Sequence, residues 1–342
     1  MKAVKYIVLL ILVGIIGLSV YVAVQPNQYS FSRTMVTTAP LPLLFNEVND
    51  FKNWPSFSPW LQKDPETDLG FGNITKGKNA FYRWESDVLG SGSMTTTSVK
   101  PNEFIGQDIN ITKPFETEAK TSWTFEREND STYVTWALAG KQDFISKFYT
   151  TFSGSVESQM GPGLKRGLSK LDSVVKAKMK VYSIHVDGIT NHNGGYYLFS
   201  TTSCQLSELE TNIKLAINEL SAYALTHNIS MNGHPFIIYH KRDEVNNAAI
   251  FSACIPTISK ITVNDSNILT GQLKDFKSLK ATLQGHHDNL QETWNTALAY
   301  IKNKDNLTLK PSGPQLEVFV RDANDTVNPA EWLTEIYIAI KE

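Results

Sequence analysis

Two runs near the end of the chain set an acid beside a ring on a strand-like frame. In "EWLTEIYIAI", Glu331 to Ile340, alternation puts Thr334, Ile336, Ile338 and Ile340 on one side. Leu333, Glu335, Tyr337 and Ala339 take the other. In "PQLEVFV", Leu316, Val318 and Val320 form the apolar side, and Glu317 and Phe319 alternate away from it. A carboxylate on a half-apolar strand is costly unless it is paired, hydrogen-bonded or neutralised. Two readings of Glu335 stay open, a structural ion pair and a ligand contact. Carboxylates among aromatic faces suit an organic cation. The same groups allow hydrolysis: Glu335 would activate water or attack, with Tyr337 or Tyr239 as proton partner.

Other apparent motifs lack the context their chemistry needs. "GNITKGKN", Gly72 to Asn79, nearly spells a phosphate loop, but Asn79 stands where Ser or Thr is required. A strand-like run follows it rather than a helix, so it reads as a hairpin turn. "GPGLKRG" lacks a preceding strand, and "GSGS" is not a nucleophile elbow. His286 and His287 have no third ligand nearby, and His234 and His240 have no acidic or thiol partner. Cys204 and Cys254 fit either a disulfide or two buried thiols. No metal or cofactor is expected.

The elements that must carry these residues fall into three parts. Lysines at 2 and 5 precede an uncharged run from Tyr6 to Val24. Nineteen residues of helix span roughly 28 Å, close to a hydrocarbon core. The run is long for a secretory signal, and Tyr21 disfavours a cut after Ala23. Residues 1–26 are therefore expected to be an uncleaved single-pass anchor in the cytoplasmic membrane. The lysines keep the N-terminus inside and place the bulk of the chain outside the cytoplasm. The net charge of −2, without a basic excess, argues against nucleic acid as a partner.

From Tyr29 to about Ala139 the chain reads mostly as strands, opened by "YSFSRTMVTT" and then interrupted by short proline-broken helices in "PLPLLFNEVNDFKNWPSFSPW". "GPGLKRGLSKLDSVVKAKMK" then reads as a helix striped by Leu164, Leu168, Leu171 and Val175. From Val181 onward, "VYSIHVDGI" and "GYYLFSTTS" are strand-like. A helix follows with a capping box at Ser207 and Glu210, striped by Leu209, Ile213, Ile217, Leu220 and Ala224. "HPFIIYH" and "NNAAIFSACI" are strands. The order then recurs: "SLKATLQG", a helix striped by Leu290, Trp294, Leu298 and Ile301, then "PQLEVFV" and "WLTEIYIAI". Two strand–helix–strand–strand units suggest an α+β, pseudo-twofold domain with a cleft between its halves.

"NWPSFSPW" followed by "DPE", then "YRWESDVLGSGSM" and "TYVTWALAG", make residues 27–179 resemble the SRPBCC, or START-like, helix-grip family. That family includes lipid carriers, hormone receptors and a few cyclases. The resemblance implies an antiparallel sheet curled around the last helix and an apolar cavity, with Trp54, Trp60, Trp84, Trp123 and Trp136 as lining or core. "GHHDNLQETWNTALAYI", "PQLEVFV" and "TEIYIAI" make residues 180–342 resemble the GyrI-like, effector-binding family. It implies an aromatic pocket in which the acid of the last strand, here Glu335, meets cationic or amphipathic ligands, with Glu317 matching the acid of the preceding motif. Tyr337, Phe319 and Tyr239 complete the expected ligand-binding set. Two departures from the family pattern occur: Asp288, Asn289 and Leu290 replace Gly-Pro-Tyr, and Ala339 replaces a final proline. The function expected is membrane-anchored binding that senses, sequesters or carries amphipathic or cationic small molecules. The alternative is a hydrolase of small reactive compounds built on the Glu/Tyr pair.

Overall fold

The computed structural model describes residues 2–114, 116–243, 245–263, 267–304, 307–310 and 313–341. The chain divides into two compact units, Met1–Ala177 and Lys178–Glu342. The fold is mixed α+β with one antiparallel sheet in each unit.

The first unit opens with helix α1 (Lys2–Val24). It is long and apolar enough to cross a membrane, and nearly all of its apolar side chains are exposed. Strand β1 (Gln28–Thr37) follows, then α2 (Leu41–Asn49) and two short 3-10 turns. The sheet continues through β2 (Asp68–Phe71), β3 (Phe81–Ser86), β4 (Gly90–Lys100), β5 (Phe104–Lys113), β6 (Thr117–Glu128) and β7 (Ser131–Lys141). Its order is β1-β7-β6-β5-β4-β3-β2, a meander closed onto its first strand. The near-phosphate loop is the β2–β3 connection, with Gly77 and Asn79 at positive φ. Two helices end the unit, α3 (Phe144–Ser153) and α4 (Val156–Met179). The sequence reading assigned no element to α3. Helix α4 starts before the glycines, with Pro162 inside it.

Helix α4 buries Leu164, Leu168, Leu171 and Val175, the stripe read from the sequence. Gly167 lets it lie on the sheet's aromatic interior, since a Cβ there would come within 2.5 Å of the Trp136 ring. Trp54, Trp123 and Trp136 are fully buried and pack on one another, with Trp123 and Trp136 stacked at 4.1 Å. Trp60 packs edge-on to Trp136, and Trp84 leans on Tyr82, its neighbour two residues back on β3. Offset and edge-on packing of large rings is a strong source of core cohesion.

Among the described residues, the second unit has nine strands and two α-helices. Strands β8 (Ser183–His192) and β9 (Gly195–Gln205) precede α5 (Leu209–Thr226). Then come β10 (Phe236–Asp243), β11 (Ala248–Thr257), β12 (Leu269–Leu273) and β13 (Phe276–Gln284). Helix α6 (Leu290–Lys302), the two-residue β14 (Thr308–Leu309), β15 (Gln315–Arg321) and β16 (Leu333–Lys341) complete it. The sheet order is β12-β9-β11-β10-β15-β16-β13-β8, with β14 added on β16. Although β8 and β9 are consecutive, they are not a hairpin. Strand β8 pairs with β13, at the opposite edge from β9.

Three local expectations need correction. No capping box forms at Ser207 and Glu210. Residues 206–208 make a 3-10 turn, and Glu208 precedes α5 without a side-chain cap. In α6 the core position belongs to Ala297, whereas Leu298 is 37% exposed. On β15 the helix-covered side is Glu317 and Phe319, while Leu316 and Val318 face the other way with Tyr337. Cys204 and Cys254 are free thiols, and burial pushes the Cys254 thiol well up.

Candidate functional site

Register decides which expected residues meet. Glu317 on β15 lies opposite Ile237 of β10 and Ile336 of β16. Directly opposed residues in an antiparallel pair point to the same face. Ile237 belongs to the core under α5 and Ile336 to the core under α6. Glu317 therefore sits at the seam between the two helix-covered cores. Tyr239 packs against both. Glu335 lies opposite Val318, on the other side of the sheet. The two acids, expected to share one cleft, occupy opposite faces.

At the seam Glu317 is 1% exposed. Its carboxylate accepts the Trp294 indole N–H at 2.5 Å and the Tyr239 hydroxyl at 3.2 Å. Tyr239 and Trp294 also meet edge to face, with ring centroids 6.0 Å apart. Burial raises the Glu317 carboxyl pKa; the Trp294 hydrogen bond, the Arg242 charge and the Tyr239 hydrogen bond partly offset it. Burial and the neighbouring carboxylate also push the Tyr239 hydroxyl far up, so it stays a donor. Arg242, three residues along from Tyr239, also bonds Gln291 on α6.

One step along the same face lies Phe319, opposite Thr334. His287, from the turn leading into α6, packs its ring 5.4 Å from Phe319 and 5.0 Å from Trp332. Burial, and then the His286 charge, lower its pKa to about 4, so the imidazole is neutral at physiological pH. Its Nε2 and the Thr334 hydroxyl are buried without hydrogen-bond partners among the described residues. Unpartnered buried polar atoms cost on the order of 1–3 kcal/mol each, which makes them unusual in a purely structural core. The seam thus has an acidic end at Glu317 and a neutral hydrogen-bonding end at His287 and Thr334, joined by aromatic surface.

The other face gives Glu335 a full set of partners. Lys280 Nζ lies 2.8 Å from one carboxylate oxygen, and the Tyr337 hydroxyl donates to the other at 2.6 Å. The Lys280 and Glu335 side chains are 25% and 20% exposed. Burial pushes the Glu335 carboxyl up, but the Lys280 and Tyr337 hydrogen bonds outweigh it, and the net shift is downward. Lys280 also lies over the Tyr337 ring at 5.8 Å, and His192 meets that ring edge-on. Glu335 is therefore a paired, ionised carboxylate.

Glu317, Tyr239 and Phe319 were expected in one ligand-binding set with Glu335 and Tyr337, whereas Trp294 was expected only as part of a core stripe. The indole N–H of a tryptophan on a buried stripe needs an acceptor, and that requirement is the signal that could have joined Trp294 to Glu317. Lys280, His287 and Thr334 carried no comparable signal. In the first unit, Thr96, Gln107 and Thr121 face one another across β4, β5 and β6. Thr121 accepts from the Trp136 indole at 2.7 Å, whereas Gln107 Oε1 and Trp123 Nε1 lack partners among the described residues. No group of three or more potential metal ligands occurs among the described residues.

With this geometry in view, the comparisons define the class. Residues 176–341 match the GyrI-like small molecule binding domain, so the second unit is a GyrI-like domain. Three solved structures show distant likeness. The EcmrR C-terminal domain overlays with a TM-score of 0.40 at 14% identity, covering 47% of this chain and 99% of that one. Protein MLL2253 from Mesorhizobium loti gives 0.33 at 14% identity, covering 44% and 98%. Ara h 8.0201 gives 0.32 at 7% identity, covering 44% and 99%. No curated protein matches the chain.

Proposed function

We propose that this protein is a membrane-tethered binding protein for small amphipathic molecules carrying a positive charge, and that the α5–α6 seam of the GyrI-like domain holds them. The observation that carries this reading is Glu317: a carboxylate 1% exposed, hydrogen-bonded by Trp294 and Tyr239 among aromatic rings, whose pKa burial raises despite the Arg242 charge. A buried carboxyl with a raised pKa gains most from a ligand cation, which restores its ionised form. Trp294, Tyr239 and Phe319 supply the faces such a cation prefers. We place the anchoring role on Glu317 rather than Glu335, whose charge Lys280 already meets. The strand order reads 1-3-2 and then 2-3-1 across its six central strands, which supports a pseudo-twofold pair of βαββ units meeting at Glu317.

A second reading draws on the Tyr239–Glu317 hydrogen bond. A carboxyl with a raised pKa beside a tyrosine hydroxyl suits proton transfer to water in the hydrolysis of a reactive small molecule. Turnover that is lost in both Glu317→Gln and Tyr239→Phe would favour it.

The apolar length of α1 and the lysines before it support the tether, with residues beyond Val24 outside the cytoplasm. The curled meander packed on α4 supports the helix-grip resemblance of residues 27–179. Native mass spectrometry of the detergent-purified full chain tests the binding reading. A co-purified small molecule bearing a cationic centre is expected, and it should be lost from Glu317→Gln. Full retention by that variant would contradict the assignment.

A further inference from the structure

Helix α3 (Phe144–Ser153) is amphipathic the wrong way round for a helix in water. Phe144, Ile145, Phe148, Tyr149 and Phe152 fall within an arc of roughly 140° at 100° per residue. A helix on a soluble protein turns such an arc toward its core. Here all five are exposed, from 44% for Phe148 to 67% for Phe152. The less exposed side carries Ser146, Lys147, Thr150 and Thr151. Lys147 is only 6% exposed. The Phe148 and Phe152 rings pack on each other at 5.2 Å in the exposed row.

The inversion occurs at one place in the unit, the end of α1. The two helices pack together. Lys147 Nζ donates to the carbonyl oxygen of Ala23 at 3.1 Å. That carbonyl is among the last four of α1, which lack partners inside the helix and carry its negative dipole end. A buried ammonium thus locks α3 to the point where the apolar helix stops. The outward arc carries no charged residue and ends in rings, including a tyrosine, as sites at the boundary of lipid and water do.

We propose that α3 is an interfacial helix: it lies in the surface layer of the phospholipid bilayer crossed by α1, with its aromatic arc sunk about 5–10 Å to the headgroup–acyl boundary. This rests on the reading of α1 as a membrane anchor. Two attachment points, one spanning and one lying flat, fix the height and tilt of the first unit above the lipid. A contiguous apolar arc beside a membrane helix is covered by lipid at no further cost, whereas in water it is an aggregation liability.

The test is hydrophobic photolabelling of the full chain in phosphatidylcholine–phosphatidylglycerol vesicles. The probe is a carbene precursor confined to the hydrocarbon layer, with labelled peptides mapped by mass spectrometry. The expected result is label on α1 and on residues 144–152, about tenfold above the exposed Val88 between β3 and β4. Phe148→Ser with Phe152→Ser should cut the α3 label several-fold and leave the α1 label unchanged. Label on α1 alone would overturn the interfacial helix and keep the anchor. Absence of label on both would overturn the anchor itself. Unlabelled α3 that instead cross-links between copies would make the arc a dimer contact and overturn the proposal.

Discussion

Two carboxylates on neighbouring strands of one sheet have opposite electrostatic states. Glu317 lies under the helices, hydrogen-bonded by Trp294 and Tyr239, and burial raises its pKa despite the Arg242 charge nearby. Glu335 lies on the other face, ion-paired and with its pKa lowered. The difference comes from register and from the helix-covered side, since both strands alternate an acid with rings. A paired acid has its charge already met. A buried acid whose neighbours only partly offset its burial keeps a capacity to interact that a ligand can use. Local acidity is therefore a weaker guide to a site than the partner set.

The comparison is tested most strongly by removing its rings. Trp294→Ala opens a cavity at the seam and removes the donor to Glu317, so a loss of about 3–5 kcal/mol is expected by chemical denaturation. Tyr337→Ala on the half-buried face should cost less than half of that. Equal losses would mean that the two faces do not differ in packing.

Next is the neutral imidazole at the far end of the seam. Burial holds the His287 imidazole pKa down at about 4, below the ordinary histidine value of about 6.5. Its contribution is present in full above pH 6.5 and is lost as the pH falls toward 4, by about 3 kcal/mol. His287→Phe should flatten the stability profile in that window. An unchanged profile would show that the imidazole is solvated rather than buried.

Glu317→Gln should act in the opposite pH direction to a change at Glu335. The raised pKa of Glu317 means that its stabilisation is complete below the unfolded value and falls away as the pH rises through the folded one. The Gln variant should therefore gain stability over wild type at neutral pH and lose that advantage in acid. The lowered pKa of Glu335 means that its stabilisation is present above the unfolded value and lost as the pH falls through the folded one. Lys280→Met should cost up to about 1 kcal/mol at neutral pH, because the pair is partly solvated, and nothing once Glu335 is protonated. Thermal melts across pH read both.

Much of this architecture was legible because period and burial agree. The α4 stripe of Leu164, Leu168, Leu171 and Val175 is wholly buried, and the α5 stripe lies on its core as expected. The acids were legible as chemistry but not as places. On β15, Leu316, Glu317 and Phe319 are all buried, so alternation cannot say which side the helices cover. Lys280 reaches Glu335 because β13 pairs with β16, a neighbour more than fifty residues away in sequence. Helix α3 was missed because its apolar face is turned outward, away from the core whose stripe marks a helix, and its aromatic and threonine content weakens helix propensity.

The most direct test of the central claim is a thermal-shift titration of wild type, Glu317→Gln and Glu335→Gln with tetraphenylphosphonium as the probe. The account predicts a concentration-dependent rise in Tm for wild type and for Glu335→Gln. For Glu317→Gln it predicts a rise smaller by the equivalent of about 1.5–3 kcal/mol of binding, roughly 10- to 150-fold in affinity. Equal shifts in wild type and Glu317→Gln, or a loss confined to Glu335→Gln, would contradict it.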